Sequence, residues 1–339
     1  MTVRRAIATT LAAVAGTVVG TAALTVLAMA VSPWPSALLI RRAFDRGGRE
    51  TNAALAPLVP DDVESLLDVG YDPDEPASIL DVHRPARPDG GTRLPTIVWV
   101  HGGGWVSGSK DQVANYARIL AGQGFVVVAV DYDLAPGSRY PRPVHQVLTA
   151  LAHLVTHADE LDLDTSRVVL AGDSAGSQIA AQVAAAVTDP AYAAALGVEP
   201  VLPREHLRAT LLHCGAYDLD PTGTTSRGGA LFIEAVLWSY TGHRPTRNDP
   251  VTALASVRRH VSPAFPPTYL SGGDADPLTP QGLAFAERLR ELGVELVADF
   301  PVPATGEVPL NHEFQFDLAG EAGRATFERS VTFLRSHTA

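Results

Sequence analysis

The sequence predicts an α/β fold in which a mostly parallel sheet carries helices on both faces. Six apolar runs rich in β-branched residues have the length of strands, at residues 96–100, 125–130, 167–171, 209–213, 268–270 and 294–298. Segments with helical periodicity lie between most of these runs. Strands that are apolar throughout, rather than alternating, are typical of a parallel sheet buried on both faces. The 339 residues supply ample material for such a core.

An antiparallel hairpin is predicted at one edge of this sheet. Residues 66–71 and 79–83 have strand-like patterns and are separated by the turn-rich sequence Asp-Pro-Asp-Glu-Pro. Helices are expected at residues 112–123, around 144–151, after 177 and at 280–292. Two less regular insertions, at 187–206 and 216–262, interrupt the pattern. Because insertions after strand ends usually build lids and pockets, residues 216–262 are the candidate cap.

The N-terminal part of the chain is predicted to cross a membrane. Arg4 and Arg5 precede an uncharged stretch that reaches Ile40, and its most apolar part covers residues 6–31. This length exceeds the roughly 20 residues that a spanning helix needs, so residues 1–42 form a predicted transmembrane anchor. A cleaved signal peptide is the alternative, because residues 28–30 read Ala-Met-Ala. In both cases the bulk of the chain lies outside the cytoplasm. Residues 43–60 are polar and helical in pattern, and they are expected to form a small cap or a spacer.

Charge and cysteine content exclude several classes of function. The net charge is −11 and the basic residues are scattered, so no nucleic-acid partner is predicted. The single cysteine, Cys214, cannot form a disulfide within the chain and is expected to be a small buried side chain. His153 and His157 lie four residues apart on a predicted helix, but no third ligand accompanies them. No metal or other cofactor is therefore predicted.

The sequence Gly-Asp-Ser-Ala-Gly at residues 172–176 directly follows a predicted strand and precedes an alanine-rich helical segment. A strand, a Gly-x-Ser-x-Gly turn and a helix form the context in which a serine is presented as a nucleophile. Gly172 and Gly176 would keep side chains out of the crowded turn. An ordinary glycine and serine turn is the alternative if the motif is considered alone. Ser174 is the candidate nucleophile.

A second motif, His-Gly-Gly-Gly-Trp at residues 101–105, follows the predicted strand at 96–100. Three consecutive glycines leave backbone N–H groups unshielded, so the loop can direct them at an oxygen that becomes negative during acyl transfer. Gly103 and Gly104 are the predicted donors, together with Ala175, the residue after the nucleophile. A flexible glycine turn is the alternative for this motif alone. The two motifs in this order favour an acyl-transfer site.

A serine hydroxyl needs a base to accept its proton, and the base needs a carboxylate to orient it. His312 is the candidate base because it lies after the last predicted strand, and this arrangement uses the chain order Ser, acid, His. His213 and His101 are the alternatives, although His101 is more naturally a structural residue of the glycine loop.

The carboxylate is expected between Ser174 and His312, at the end of a strand. Asp274 and Asp276 both follow the run at 268–270. Asp276 is favoured because Pro277 fixes the backbone after it, and Asp274 is the second choice. Asp218 is a weaker alternative. Each of these residues could instead be a turn former or a helix cap.

Five motifs occur in order along the chain: HGGGW at 101–105, DYDLAP at 131–136, GDSAG at 172–176, DPL at 276–278 and H-x-F at 312–314. Together they resemble the hormone-sensitive-lipase-like and feruloyl-esterase-like carboxylesterases of the α/β-hydrolase superfamily. The resemblance covers roughly residues 65–335. It implies an α/β-hydrolase fold with a triad of Ser174, His312 and Asp276. It also implies an oxyanion hole of Gly103, Gly104 and Ala175.

Three positions depart from the family pattern. Gly137 replaces an acidic residue after the LAP element, Ser177 replaces a glycine after GDSAG, and Glu313 replaces the common glycine after the catalytic histidine. These departures leave the triad intact, but they bear on the substrate pocket and on the preferred acyl chain length.

The sequence therefore predicts a catalytic domain over residues 43–339 that cleaves small carboxylic esters, of short or medium acyl chain, through an acyl-enzyme. An amidase or peptidase with the same triad is an alternative, since fold and triad do not separate esters from amides. A non-catalytic binding protein of this fold is a third hypothesis. The domain is expected to be membrane-anchored outside the cytoplasm, or secreted if the N-terminal segment is cleaved.

Overall fold

The central sheet contains eight strands among the residues that the structure describes. The structure is a computed structural model and describes residues 27–86, 91–219 and 227–339. In chain order the strands are β1 (Val63–Gly70), β2 (Ile79–Pro85), β3 (Pro95–Val100), β4 (Val126–Val130), β5 (Asp164–Asp173), β6 (Leu207–His213), β7 (Thr268–Ser271) and β8 (Leu296–Asp299). Every predicted strand is present, and the last begins two residues later than predicted because residue 294 still belongs to the turn before it.

Helices connect and cover these strands. From residue 34 onward they are α1 (Trp34–Leu55), α2 (Lys110–Ala121), α3 (Arg142–Thr156), α4 (Ser174–Thr188), α5 (Pro190–Leu196), α6 (Arg227–Thr241), α7 (Pro250–Ala255), α8 (Thr279–Glu291) and α9 (Glu321–Thr338). The predicted helices at residues 112–123, around 144–151, after 177 and at 280–292 correspond to α2, α3, α4 and α8.

The strand order of the sheet is β1-β2-β4-β3-β5-β6-β7-β8. β1 pairs with β2, and β2 with β4, in antiparallel fashion, whereas all the remaining neighbours are parallel. The predicted mostly parallel sheet with an antiparallel edge hairpin is confirmed. Because parallel strands all end at the same edge, the loops that follow β3, β5, β7 and β8 converge there.

The two faces of the sheet enter separate hydrophobic cores. On β3, Val98 and Val100 face the core that contains α3, α4 and α8, whereas Ile97 and Trp99 face the core that contains α2 and α9. All four side chains are fully buried. A strand covered on both faces has no solvent-facing position, which explains why β3 is apolar apart from Thr96, which is itself buried. The close-packed sheet holds the ends of its strands in fixed positions.

Helix α1 lies against the loops at the carboxyl edge of the sheet. Arg41 donates hydrogen bonds to the carbonyl oxygen of Val106, at 2.6 Å, and to that of Ala135, at 2.9 Å. Asp45 accepts a hydrogen bond from the Ser107 hydroxyl at 2.6 Å. The predicted boundary at residue 42 therefore falls inside a helix that belongs to the folded body.

Most of the predicted transmembrane stretch cannot be compared with the structure, because residues 6–26 lie outside the described residues. Within the ranges that are described, none of the helices combines the length and the apolar character that crossing a membrane requires.

Candidate active site

Ser174 occupies a sharp turn between a strand and a helix. β5 ends at Asp173, α4 begins at Ser174, and the serine has a φ of +51°, a left-handed value that is strained for a residue with a Cβ. The flanking glycines are needed because β3 passes close by. A Cβ at Gly172 would lie 2.6 Å from the carbonyl oxygen of Val100, and one at Gly176 would lie 2.0 Å from it. Such contacts are too short for any larger residue, so the motif is required by packing.

A chain of two hydrogen bonds connects the three residues predicted as a triad. His312 Nε2 lies 2.8 Å from Ser174 Oγ, and His312 Nδ1 lies 2.9 Å from Asp276 Oδ2. The three residues come from the turn after β5, the loop after β7 and the loop after β8. The structure thus brings together three side chains that are distant in sequence, at distances suited to proton transfer.

Asp276 is the one of the three candidate acids that contacts the base. Its carboxylate is buried, and its second oxygen accepts a hydrogen bond from the Leu278 N–H at 2.8 Å. Asp274 instead accepts from the N–H of Leu310, at 2.7 Å, two residues before His312. Asp218 pairs with Arg258 at 2.6 Å. Asp274 therefore holds the loop that carries the histidine, and Asp276 orients its ring.

The two alternative histidines contact other parts of the fold. His101 hydrogen-bonds the carbonyl oxygen of Gly102 at 2.8 Å and stacks on Tyr132, with ring centroids 4.3 Å apart. His213 is fully buried and lies 2.6 Å from the Ser271 hydroxyl, and burial lowers the pKa of His213 to about 4. Neither ring is hydrogen-bonded to Ser174.

The glycine loop lies directly beside the nucleophile turn. A Cβ at Gly176 would come within 2.5 Å of the carbonyl oxygen of His101. Gly103 and Gly104 have φ values of +107° and +60°, so both need the conformational freedom of glycine. Ala175 is the second residue of α4, and its N–H belongs to the first turn, where no helical acceptor is available. The predicted donors therefore come from adjacent backbone segments.

Asp173 is a residue of this site whose role the sequence analysis missed. One carboxylate oxygen accepts a hydrogen bond from the indole N–H of Trp99 at 3.0 Å, and the other accepts from the N–H of Gly102 at 2.9 Å. Burial and the charge of Glu313 raise the pKa of Asp173 well above its ordinary value, against the opposing effect of these two donors. Asp173 thus ties the glycine loop to the strand that carries Ser174. The position of Asp173 within the Gly-Asp-Ser-Ala-Gly motif was the available signal. β5 pairs with β3 in a register that places Asp173 next to the start of the glycine loop.

Glu313 is the second residue that the sequence analysis left without a role. It has a φ of +63°, a left-handed conformation that favours glycine, and Oε1 lies 3.9 Å from His312 Nε2. Burial by itself lowers the pKa of His312. The hydrogen bond that His312 donates to Asp276 and the charges of Glu313 and Asp173 outweigh burial, so the pKa of His312 is raised above its ordinary value. Three carboxylates therefore act on the candidate base.

Two helices border the glycine loop from outside. A Cβ at Gly104 would lie 3.7 Å from Phe44 on α1 and 3.7 Å from Val236 on α6. The two helices touch through Phe44 and Phe232, with ring centroids 5.8 Å apart. α6 belongs to the predicted cap insertion, whereas α1 was expected only as a cap or a spacer. Apolar side chains from both helices therefore lie next to the glycine loop.

Of the other two departures from the family pattern, only Ser177 has a local explanation. The Ser177 hydroxyl lies 2.7 Å from the carbonyl oxygens of both Gly172 and His213, so it links the start of α4 to the ends of two strands. A Cβ at Gly137 would lie 3.7 Å from the ring of Trp34, on α1, which is an ordinary van der Waals distance. Packing therefore does not explain the glycine at residue 137.

Three potential metal ligands, from Cys214, Asp276 and His312, lie within 4.8 Å of one another in the described part of the chain. Burial and the nearby carboxylates raise the pKa of the Cys214 thiol well above its ordinary value, which disfavours the thiolate that a metal needs. His312 and Asp276 are hydrogen-bonded to each other. The chemistry of this donor set fits a proton relay better than a metal site.

Comparison with known proteins gives consistent matches over most of the chain. Residues 97–300 match the family described as the alpha/beta hydrolase fold. An esterase from Gibberella moniliformis is 33% identical over 211 residues, which cover 60% of this chain and 63% of that protein. Carboxylesterase NlhH from Mycobacterium tuberculosis is 31% identical over 250 residues, covering 70% of this chain and 74% of NlhH. The solved structure of a bacterial heroin esterase matches with a TM-score of 0.70 and 26% identity, over 88% of this chain and 91% of that one.

The chain spans less than two thirds of the Gibberella esterase, at 63% of its length, and about three quarters of NlhH, at 74%. The family match itself covers more than half of the chain and includes the glycine loop, Ser174 and Asp276. From this match, the related sequences and the shared fold, the chain belongs to the α/β-hydrolase fold family, in its carboxylesterase branch.

Proposed function

We propose that the protein is a serine carboxylesterase that hydrolyses small esters through an acyl-enzyme on Ser174. The observation that carries this proposal is the hydrogen-bonded series Ser174, His312 and Asp276, with distances of 2.8 and 2.9 Å. A serine, a base and an orienting carboxylate in this geometry are what nucleophilic acyl transfer requires. The names of the relatives, an esterase and a carboxylesterase, support an ester as the substrate.

Each step of the reaction uses a group already present in the site. Ser174 Oγ attacks the ester carbonyl carbon while His312 Nε2 accepts the hydroxyl proton, and Asp276 stabilises the imidazolium that forms. The N–H groups of Gly103, Gly104 and Ala175 would hold the negative carbonyl oxygen. Collapse of this intermediate expels the alcohol, which takes the proton from His312. Water then attacks the acyl-enzyme in the same way, releases the carboxylic acid and regenerates the serine.

Short or medium acyl chains are the expected substrates. The glycine loop lies next to Phe44 and Val236, from two helices that contact each other through Phe44 and Phe232. These side chains support binding of an apolar acyl group of limited size.

Covalent labelling tests the proposed nucleophile. A fluorophosphonate probe should label the wild-type protein at one site, and Ser174→Ala should abolish labelling while leaving the circular dichroism spectrum unchanged. Ser177→Ala is the matched control, because Ser177 lies in the same turn but its hydroxyl contacts backbone carbonyl oxygens. Absence of labelling in folded wild-type protein would refute the enzyme proposal and favour a binding protein.

A substrate panel separates an esterase from an amidase. p-Nitrophenyl esters of increasing acyl length should be hydrolysed much faster than the corresponding p-nitroanilides, with the highest kcat/KM among short chains. Equal or faster hydrolysis of the anilides would assign the triad to amide substrates instead.

We further propose that residues 6–31 anchor the protein in a membrane, with the catalytic part outside the cytoplasm. The length and apolar composition of this stretch support the proposal. Exposed apolar side chains at Val31, Leu38 and Leu39 continue this character into α1. Fractionation of cells that express the full-length chain is the test. Recovery of the mature chain in the soluble exported fraction, starting near residue 31, would favour a cleaved signal peptide.

A further inference from the structure

Glu313 places a carboxylate beside the reactive nitrogen of the base, on the side opposite to Asp276. Asp276 contacts His312 Nδ1, whereas Glu313 Oε1 lies 3.9 Å from His312 Nε2, the atom that also contacts Ser174. The Glu313 side chain is 37% exposed, so it is accessible to solvent and to a bound molecule. Asp276 is fully buried and has no such access.

The charge of Glu313 is not neutralised by a basic side chain. Among the residues that the structure describes, no lysine or arginine forms an ion pair with its carboxylate, and its only basic partner is His312. Burial and the charge of Glu313 raise the pKa of the neighbouring Asp173 and so favour its neutral form, which leaves Glu313 and Asp276 as the negative charges beside the base. A positively charged group on a substrate would therefore be attracted to the carboxylate of Glu313.

The geometry also indicates which part of a bound ester would lie nearest the carboxylate of Glu313. His312 Nε2 must return its proton to the leaving alcohol oxygen, which requires an approach of about 3 Å. The carboxylate oxygen of Glu313, 3.9 Å from the same nitrogen, then lies at most about 7 Å from that leaving oxygen. A cationic group two carbons beyond the ester oxygen can turn toward Glu313 and come closer to its carboxylate than the ester oxygen does. The acyl group extends from the other side of the carbonyl carbon.

We propose that Glu313 is a specificity-determining residue that favours esters whose alcohol portion carries a positive charge, such as esters of amino alcohols. The inference rests on the proposed esterase function, because it assigns a substrate class to that site. It also gives a role to a glutamate that adopts a left-handed conformation, in which glycine is the favoured residue.

Two matched substrates test the proposal. Acetylcholine and 3,3-dimethylbutyl acetate have nearly the same shape, and only the first carries a positive charge on its alcohol portion. For the wild-type protein we measure kcat/KM for both esters and take their ratio, charged over neutral. Glu313→Gln should lower this ratio about fivefold, the effect of removing one partly exposed charge near the substrate. Glu313→Asp should give an intermediate ratio, because it retains the charge on a shorter side chain.

Glu321→Gln is the control variant, because it removes the same charge from an exposed position at the start of α9. It should leave the ratio unchanged. High salt should reduce the wild-type ratio toward that of Glu313→Gln, since exposed charges are screened.

The outcomes distinguish this inference from the proposed function. If wild-type protein hydrolyses neither ester and does not react with a fluorophosphonate, the esterase function itself is refuted. If it hydrolyses both esters and Glu313→Gln leaves the ratio of their kcat/KM values as in the wild type, the esterase function is supported and the role of Glu313 is refuted. An equal fall in the ratio for Glu321→Gln would also refute it, because the effect would then be one of net charge.

Discussion

At the scale of single residues, two aspartates at the end of β7 have separate tasks. Asp276 contacts the ring of His312 at 2.9 Å, and Asp274 accepts a hydrogen bond from the backbone N–H of Leu310 at 2.7 Å. The first contact fixes the tautomer of the base, so that Nε2 is free to accept the serine proton. The second contact holds the loop in which the base lies. Substitution should therefore affect catalysis very differently at the two positions.

Asp276→Asn should lower kcat for ester hydrolysis by about 10⁴-fold, because an amide in this position favours the wrong tautomer of the histidine. Asp274→Asn keeps an oxygen that can accept from Leu310, so kcat should fall less than about tenfold. The measurement is steady-state hydrolysis of a p-nitrophenyl ester by both variants, with thermal unfolding to verify folding. Similar losses in both variants would contradict the assignment of Asp276 as the orienting acid.

The pH dependence of catalysis should reflect the carboxylates around His312. The base must be neutral to accept a proton, and its pKa is raised by Asp276, Glu313 and Asp173. The acid limb of kcat/KM should therefore have its midpoint above the ordinary histidine value of about 6.5. Glu313→Gln removes one of the charges that raise the pKa, so the midpoint should move to lower pH. Glu321→Gln should leave it in place.

The pH measurement uses kcat/KM for a neutral ester, so that no substrate charge contributes. A midpoint that does not move in Glu313→Gln would mean that the charge of Glu313 does not reach the base. A shift to higher pH would contradict the sign of the interaction.

The sequence predicted most of the candidate site at this scale because catalytic residues follow strand ends in a fixed chain order. The Gly-x-Ser-x-Gly motif singled out Ser174 and the chain order singled out His312, whereas Asp276 was favoured over Asp274 only through Pro277, since both aspartates follow β7. The contacts of Asp173 with Trp99 and Gly102 depend on the register between β5 and β3. Glu313 lies near Gly102 only through the folding of two loops. Such through-space contacts leave no periodic signal in the sequence.

At the scale of elements, α1 supports the loop that contains the predicted oxyanion donors. Arg41 donates to the carbonyl oxygens of Val106 and Ala135, and Asp45 accepts from Ser107. Val106 and Ser107 follow the glycine loop directly, and their own N–H groups hydrogen-bond the carbonyl oxygen of Gly103. The helix therefore restrains the backbone that would hold a negative oxygen.

Arg41→Ala should lower the free energy of unfolding by about 2 kcal/mol, because two carbonyl oxygens lose a charged donor. It should also lower kcat, since the glycine loop would be less well positioned. Arg42→Ala is the matched control: this neighbour is exposed, and its loss should change stability by less than about 0.5 kcal/mol. Urea unfolding and ester hydrolysis measure both effects. Equal losses in the two variants would refute a specific role for Arg41.

The elements that the sequence predicted best are those buried on both faces, because their apolar runs have no alternative explanation. β3 and β4 were predicted at nearly their observed bounds for this reason. α1 was predicted less well because polar and charged residues are spread along it, and only Ala37 and Leu55 are buried within it. Its start at Trp34 was also obscured by the apolar stretch before it. Packing against the loops, rather than a hydrophobic stripe, holds this helix in place.

At the scale of the whole molecule, a buried cluster of charges joins the edge hairpin to the parallel body of the sheet. Lys110, the only lysine of the chain, begins α2. Its ammonium lies 2.8 Å from Asp68 on β1 and 2.9 Å from Asp81 on β2. The side chains of Lys110 and Asp81 are 4% and 2% exposed. Burial lowers the pKa of Lys110, but its carboxylate partners outweigh burial and raise it, so the lysine stays charged.

Lys110→Met should lower the free energy of unfolding by about 3–5 kcal/mol, because it leaves the buried Asp81 without its cation. Methionine has a similar length, so little volume is lost. Asp111→Asn is the control: this carboxylate contacts the same ammonium at 3.2 Å but is 78% exposed, so its loss should change stability by less than about 1 kcal/mol.

In the double variant Lys110→Met with Asp81→Asn, no unpaired charge remains buried, and more than half of the lost stability should return. Urea unfolding of the four proteins measures these differences. If the double variant is less stable than Lys110→Met, the loss comes from packing or hydrogen bonds rather than from an unpaired charge.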